Sequence, residues 1–263
     1  MANTVYENFY LSNEIEDQYN SHLNLQQFCT IDNTLVGTAG MTRKVHKYTA
    51  TNGTEKLTMG KGNTKSITAA FTEDQYKILL AQNRFEYFDE EQMTDSIVVQ
   101  TGIQHAAVDM FNTVNADIFA EFNKATLTLS PTALDFGAFV DAAALLNLEN
   151  LEGVNLFGFV CAKDMAKIRK SLKDDLKYVE SFSRSGYVGT VAGINLYTKK
   201  DAVENTVIVG TKQAVTLFNK LGTEIEQERD ANIRKNTVYS RKYYLAALTD
   251  ETKAVKITVG AGG

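Results

Sequence analysis

The chain of 263 residues reads as an α+β fold. Three observations predict it. Ile103, Ala107, Met110, Val114, Ile118 and Phe122 recur at three-to-four spacing, which marks one long amphipathic helix. Two runs near the end, Asn236–Leu248 and Ala254–Val259, are rich in aromatic and β-branched residues and flank the polar turn Thr249 to Thr252, which marks strands. Between these landmarks, residues 126–222 alternate strand-like and helix-like segments, the pattern of a compact α/β unit.

In chain order, residues 1–37 carry only acidic charges (Glu7, Glu14, Glu16, Asp17 and Asp32) and scattered apolar residues. They read as an extended arm that gains its contacts from a neighbour, or equally as an N-terminal helix and strand on their own domain. Residues 41–70 read as a long hairpin. Met41–Ala50 is followed by the turn Thr51-Asn52-Gly53-Thr54, then Glu55–Met59, and a second break at Gly60 to Asn63 leads into Ser66–Phe71. A two-stranded ribbon is marginal alone, so it is expected to lie on another surface, another subunit being one candidate. Residues 72–95 read as a short helix and an acidic bend. The long helix, taken from Val98 to Asn123, would run about 39 Å. Ser130 and Pro131 suit the N-cap and first position of a helix. A strand over Val154–Cys161 and a helix over Lys163–Leu172 follow. Strands over Val188–Tyr197 and Thr206–Val209 come next, then a helix over Thr211–Lys220 ended by Gly222. Glu224 to Arg234 is a polar lead-in to the two final strands, which read as a hairpin.

Composition bounds the function. Net charge is −5, so binding of a polyanion by the whole surface is disfavoured. The first 42 residues hold no Lys or Arg, so no basic start of a signal peptide is expected, and no apolar run reaches the length of a membrane span. Cys29 and Cys161 are far apart and suit a reducing compartment, with Cys161 read as a buried free thiol. The single proline, Pro131, against about 13 in an average chain of this length, argues against Pro-rich linkers.

No catalytic, cofactor-binding or metal-binding residues are assigned, and the chain is not read as an enzyme. Gly53 to Gly62 has six residues between Gly53 and Gly60, and Gly62 follows Lys61 where a phosphate loop needs Ser or Thr. Strand residues follow Gly186, Gly189 and Gly193, so these glycines are not a dinucleotide fingerprint. His22, His46 and His105 lack partners at ligand spacing, Asp174 and Asp175 are adjacent and diverge, and no G-x-S-x-G elbow occurs.

Charge segregation is the clear electrostatic signal. Arg43, Lys44, Lys47, Lys56, Lys61 and Lys65 crowd the hairpin region against Glu55 alone, while Glu86, Asp89, Glu90, Glu91 and Asp95 follow without a base between Phe85 and Asp95. Three readings are open: a solvated hairpin, a basic arm laid over the acidic surface of a neighbour, and nucleic-acid binding with only Tyr48 to stack.

The end of the chain resembles that of tailed-phage major capsid proteins with the Hong Kong 97-type fold, through Glu226, Arg229, Asp230, Tyr243, Tyr244, Ala247, Leu248, Asp250, Lys253, Lys256 and Ile257. Phe157, Val160, Asp164, Ile168 and Arg169 resemble its strand-then-helix unit. Gly186, Gly189, Ala192, Gly193, Ile194 and Tyr197 resemble its glycine-rich strand run, and Val207–Phe218 resembles the stretch after it. The resemblance covers most of residues 70–258 in order. It implies an N-terminal arm (1–37), an E-loop hairpin (38–70), a peripheral domain with a spine helix (71–127 and 223–263) and an axial domain (128–222). It implies a major capsid protein of a tailed double-stranded DNA bacteriophage or prophage, forming pentamers and hexamers of an icosahedral shell. Expected partners are further copies of the chain, a portal protein and a scaffolding protein. The genome is enclosed without sequence-specific binding, and no membrane is involved. The expected location is the virion, after assembly in the bacterial cytoplasm. An encapsulin-type nanocompartment shell and a soluble α/β enzyme are the alternatives. Subunit-interface residues are expected among Arg43, Lys44, Lys47, Lys56, Lys61, Lys65, Glu86, Asp89, Glu90, Glu91, Glu226, Arg229, Asp230 and Arg234. Some relatives join an E-loop lysine to a neighbour's asparagine; with no partnering acid legible beside Lys56, Lys61 or Lys65, no such cross-link is expected here.

Overall fold

The computed structural model describes residues 23–37, 39–148, 155–172 and 189–260. Residues 1–22 of the expected arm, with His22, and also Asp174, Asp175 and Gly186, lie outside the described residues. The described chain opens with a 3-10 turn, Leu25–Phe28, and strand β1, Thr30–Asp32. A ribbon of β2 (Thr42–Ala50) and β3 (Ala69–Lys77) leads into β4 (Leu79–Phe88). Helices α1 (Asp89–Thr94) and α2 (Ser96–Phe122) follow, then β5 (Leu127–Leu129) and α3 (Phe136–Leu145). Next come β6 (Leu156–Val160), α4 (Ala162–Ser171), β7 (Thr190–Val191), β8 (Ile194–Thr198) and β9 (Thr206–Gly210). Two long strands, β10 (Val215–Asp230) and β11 (Lys235–Leu248), precede a 3-10 turn at Glu251–Lys253 and β12 (Ala254–Thr258).

The strands form a four-stranded sheet in the order β1-β10-β11-β4, a six-stranded sheet in the order β5-β12-β9-β6-β8-β7, and the separate β2-β3 ribbon. The six-stranded sheet is covered on both faces. Alternate residues of β6 divide between two cores, as the two-residue period of a strand requires. Phe157 and Phe159 pack with Phe28 and with Val114, Ile118 and Phe122 of α2. Leu156 and Val160 face Phe139 and Ala142 of α3 and Met165 and Ile168 of α4. All five residues of β6 are buried, the signature of a central strand.

The long helix is where the apolar seam predicts it. Asp95 caps it, its Oδ1 accepting from the Ile97 N–H at 3.0 Å. The seam is buried only from Met110 onward, whereas Ile103 is 40% exposed. Helix α4 follows Cys161, whose Sγ accepts from the Asp164 N–H, and Asp164 is itself fully buried.

Five expectations are corrected. Residues 72–88 are strand rather than helix, because Ala69–Lys77 pairs with β2 and Leu79–Phe88 pairs with β11; pairing outweighs the helix preference of residues such as Gln75, Lys77 and Gln82. Accordingly Glu55–Met59 is not the ribbon's second strand, and residues 51–68 form its tip. Helix α3 starts at Phe136, not Pro131. Asp135 provides the cap, its Oδ1 accepting from the Ala138 N–H at 2.9 Å, while the Pro131 carbonyl accepts from the Gly260 N–H. Thr211–Lys220 is no helix: Val215 to Asp230 is one strand, with Gly222 inside a register shift against β11 rather than at a helix end. The two final strands do not pair with each other. β11 lies between β10 and β4, while β12 crosses to the other sheet between β5 and β9.

Residues 23–33 are integral to the body. Leu25 and Cys29 are fully buried and Phe28 nearly so, and β1 pairs in parallel with Thr216–Phe218.

Candidate subunit-contact surfaces

The basic ribbon divides into a tethered base and a free tip. At the base, the Arg43 guanidinium lies 3.6 Å from Asp32 and 5.3 Å from the centroid of the Phe218 ring. Lys44 pairs across the ribbon with Glu73 at 2.6 Å. The backbone of Lys47 pairs with Thr72, and its side chain, like that of His46, lies outside what is described. The tip is held by its own polar groups. Glu55 accepts from both the N–H and the hydroxyl of Thr64 at 3.2 Å, and the Asn63 side-chain amide donates to the Gly53 carbonyl at 2.9 Å. Lys56, Lys61 and Lys65 project from this tip, exposed and without an ion pair among the described residues. Leu57, Met59 and Ile67 are exposed beside them.

The acidic bend is neutralised within the subunit. The register that sets Asp230 opposite Lys235 and Thr237 opposite Glu86 brings the end of the β10-β11 hairpin onto α1. Arg229 reaches Asp89 at 2.6 Å, and the Asn236 side-chain amide donates to the same carboxylate at 2.7 Å. Arg234 pairs with Glu90 at 2.6 Å, and Lys235 with Glu86 at 2.8 Å. Glu91 accepts from the Phe88 N–H at 3.1 Å, closing the first turn of α1. Hydrogen bonds from Arg229 and Asn236 hold the Asp89 carboxyl below the usual range, and Lys235 does the same for Glu86. Expected interface residues are therefore brought together here, but as pairs inside one chain. The basic ribbon is not among the partners of these acids.

On β10 acids outnumber the cation that they share. Glu224, Glu226 and Glu228 alternate along it and so share one face. Glu224 and Glu226 both use Arg241, and Glu228 has the Tyr239 hydroxyl at 3.5 Å. Asp230 accepts from the Asn232 N–H in the turn. Sequence reading placed Glu226 and Asp230 among the expected interface residues, gave Glu224 and Glu228 only as part of the polar lead-in, and did not single out Arg241. The alternating acids were visible as a pattern, but they lay in a segment not read as strand.

Among the described residues no three His, Cys, Asp or Glu side chains are placed to share a metal ion, and no helix is long and apolar enough to cross a membrane. An open cleft of about 570 Å³ beside Phe28, Phe157 and Tyr197 is lined by amides, Thr211 and Lys212.

No protein-family model matches the chain. Over 169 residues it is 30% identical to the major capsid protein of Staphylococcus phage phiMR11, a match covering 63% of this chain and 59% of that protein. The chain thus aligns with less than two thirds of that relative. The capsid of a native GTA particle superposes with a TM-score of 0.71 at 14% identity, covering 99% of this chain and 94% of the other. The capsid of cyanophage P-SCSP1u gives 0.69 at 13% identity, covering 100% and 92%. The chain has the Hong Kong 97-type capsid fold, and its sequence is similar to that of a phage major capsid protein.

Proposed function

We propose that this chain is the major capsid protein of a tailed double-stranded DNA bacteriophage or prophage. Many copies assemble as pentamers and hexamers into an icosahedral shell around the genome. The observation that carries this reading is the near end-to-end match to phage and GTA capsids, joined to sequence similarity with a phage major capsid protein. The role is mechanical rather than catalytic. Its site is the virion, reached after assembly in the host cytoplasm, with portal and scaffolding proteins as partners. DNA is enclosed without being read, in keeping with a net charge of −5. The proposed division is arm 1–37, of which 23–33 pack into the body, E-loop 38–70, peripheral domain 71–127 with 223–263, and axial domain 128–222, whose sheet β12 joins.

The ribbon serves as a clasp on a second copy. Its tip lysines Lys56, Lys61 and Lys65 have no ion pair among the described residues, and the Glu224-Glu226-Glu228 face of a neighbour's β10 is the complementary acidic surface. Electron microscopy of the purified protein tests the function. Regular shells, with DNA or a portal vertex in particles from infected cells, are expected. Shells filled with protein cargo would instead indicate a nanocompartment, and monomers or dimers at every concentration would overturn the shell reading.

A further inference from the structure

Asn115 stands out among the buried polar groups. It lies midway along α2, is 3% exposed, and turns both ends of its side-chain amide to a distant stretch of backbone. Its Oδ1 accepts from the Leu25 N–H at 3.0 Å, and its Nδ2 donates to the Leu23 carbonyl at 3.0 Å. One amide thus completes both a donor and an acceptor of the incoming chain, as a neighbouring strand would. The strap beyond it is stitched down at successive points. Asn24 caps the 3-10 turn, Leu25 and Cys29 enter the core, and the Thr30 hydroxyl donates to the Lys212 carbonyl at 3.0 Å. Asp32 meets Arg43 at the foot of the ribbon.

We propose that Asn115 latches the strap Leu23–Asp32 onto the long helix, and that this latch is needed for regular shells. The shell-forming half of the idea rests on the function proposed above. A closed latch holds the strap in one place in every copy and ties it, through Asp32 and Arg43, to the foot of the ribbon. An open one leaves the strap and the ribbon foot without a common anchor. Asn115 is a positioning residue, acting through the backbone that it holds.

Cys29 provides a readout. Its thiol is fully buried in the strap and pushed up to about 11 by burial, so both access and ionisation rise when the strap lifts. Cys161, buried between β6 and α4, is the internal control. The variant is Asn115→Asp, which keeps the acceptor for Leu25 but turns an oxygen toward the Leu23 carbonyl. Labelling of the intact subunit with iodoacetamide, read by mass spectrometry, should show Cys29 reacting about tenfold faster or more, with Cys161 unchanged. Shells from the variant should be irregular or absent. An unchanged Cys29 rate overturns the latch. Parent-like shells with Cys29 reactive would overturn its role in assembly. Wild-type protein in rising urea covers the case in which the variant fails to fold. Cys29 should become reactive at lower urea than Cys161, and simultaneous exposure of both would show that no separable latch exists. The labelling needs no shell, so its failure is distinct from failure of the capsid reading.

Discussion

The ring of Phe85 sits directly on Gly102 of the long helix: a β-carbon built on that glycine would lie 2.1 Å from the ring's Cζ. Four residues on, the Asn83 side-chain amide donates to the Ala106 carbonyl at 2.6 Å. β4 therefore grips the helix at two adjacent turns, where the helix's own apolar seam is exposed. Gly102→Ala should gain about 1 kcal/mol of helix propensity yet lose about 1–3 kcal/mol by overpacking. The Phe85 ring cannot retreat freely, because it stacks on Tyr87 at 5.8 Å between centroids. The expected result is net destabilisation in the parent and net stabilisation in a Phe85→Ala background. Urea denaturation of the four-member cycle measures it, and the same sign in both backgrounds would contradict this packing account.

Acid sensitivity follows from the pairs on α1 and β4. Arg229 and Asn236 lower the folded-state value of Asp89, and Lys235 lowers that of Glu86. A lowered carboxylate stabilises the fold above its unfolded value, about 4, where both states are ionised. Below that the unfolded chain takes up the proton first, so the contribution is lost as pH falls through the folded value. The urea midpoint should hold between about pH 7 and 5 and fall below about 4. Asp89→Asn should lower it at pH 7, and the gap to the parent should close only as pH falls through the lowered folded-state value. Parallel curves at every pH would show that Asp89 contributes nothing through its charge.

Much of the fold is legible where a single segment carries its own signal. The seam from Ile103 to Phe122 marks α2, and the apolar run at Leu156–Val160 followed by Asp164 marks β6 and α4. What is not legible is partnership. Val215 to Lys220 has an apolar spacing that suits a helix turn as well as a strand, and pairing with Leu248 to Tyr244 decides it. The final two strands have strand composition, but nothing in Thr249 to Lys253 tells that the chain crosses between sheets there. The contact surfaces divide in the same way. The tip lysines stand out as an unopposed run. The ion pair of Asp89 with Arg229 spans 140 residues and exists only through strand register.

Two N-terminal deletions should behave differently. Composition alone suggests that residues 1–35 can be removed without harm to the subunit. Leu25, Phe28 and Cys29 are in the core, however, and Phe28 touches Phe157, Phe159 and Tyr197 with ring centroids 4.7–5.3 Å apart. Removing residues 1–22 should leave a subunit with parent-like thermal stability that makes no regular shells. Removing 1–35 should cost at least the 3–5 kcal/mol typical of one buried Phe, enough to unfold a marginal domain. Circular dichroism melts with negative-stain microscopy separate the two. A stable, folded product of the longer deletion would refute the strap's place in the core.

Reversing charge on the ribbon tests the clasp, and the residues must be chosen from the tip. Arg43 is tied to Asp32 and Phe218, so its reversal would disturb the subunit itself. Lys56, Lys61 and Lys65 have no such ties, and their replacement by Glu should leave the subunit's melting temperature unchanged. Each exposed pair across an interface is worth only about 0.2–1 kcal/mol. Three per subunit, repeated around each capsomer, add to several kcal/mol of salt-sensitive cohesion. The triple reversal should therefore lower the temperature and the salt concentration at which shells dissociate. Glu228→Lys in the same chain should restore part of the loss, because Glu228, unlike Glu224 and Glu226 with Arg241, has no ion pair among the described residues to disturb. Dissociation monitored by light scattering across a salt series decides it. Shells of the triple variant as resistant as the parent would mean that the tip is held by its apolar residues Leu57, Met59 and Ile67 rather than by charge.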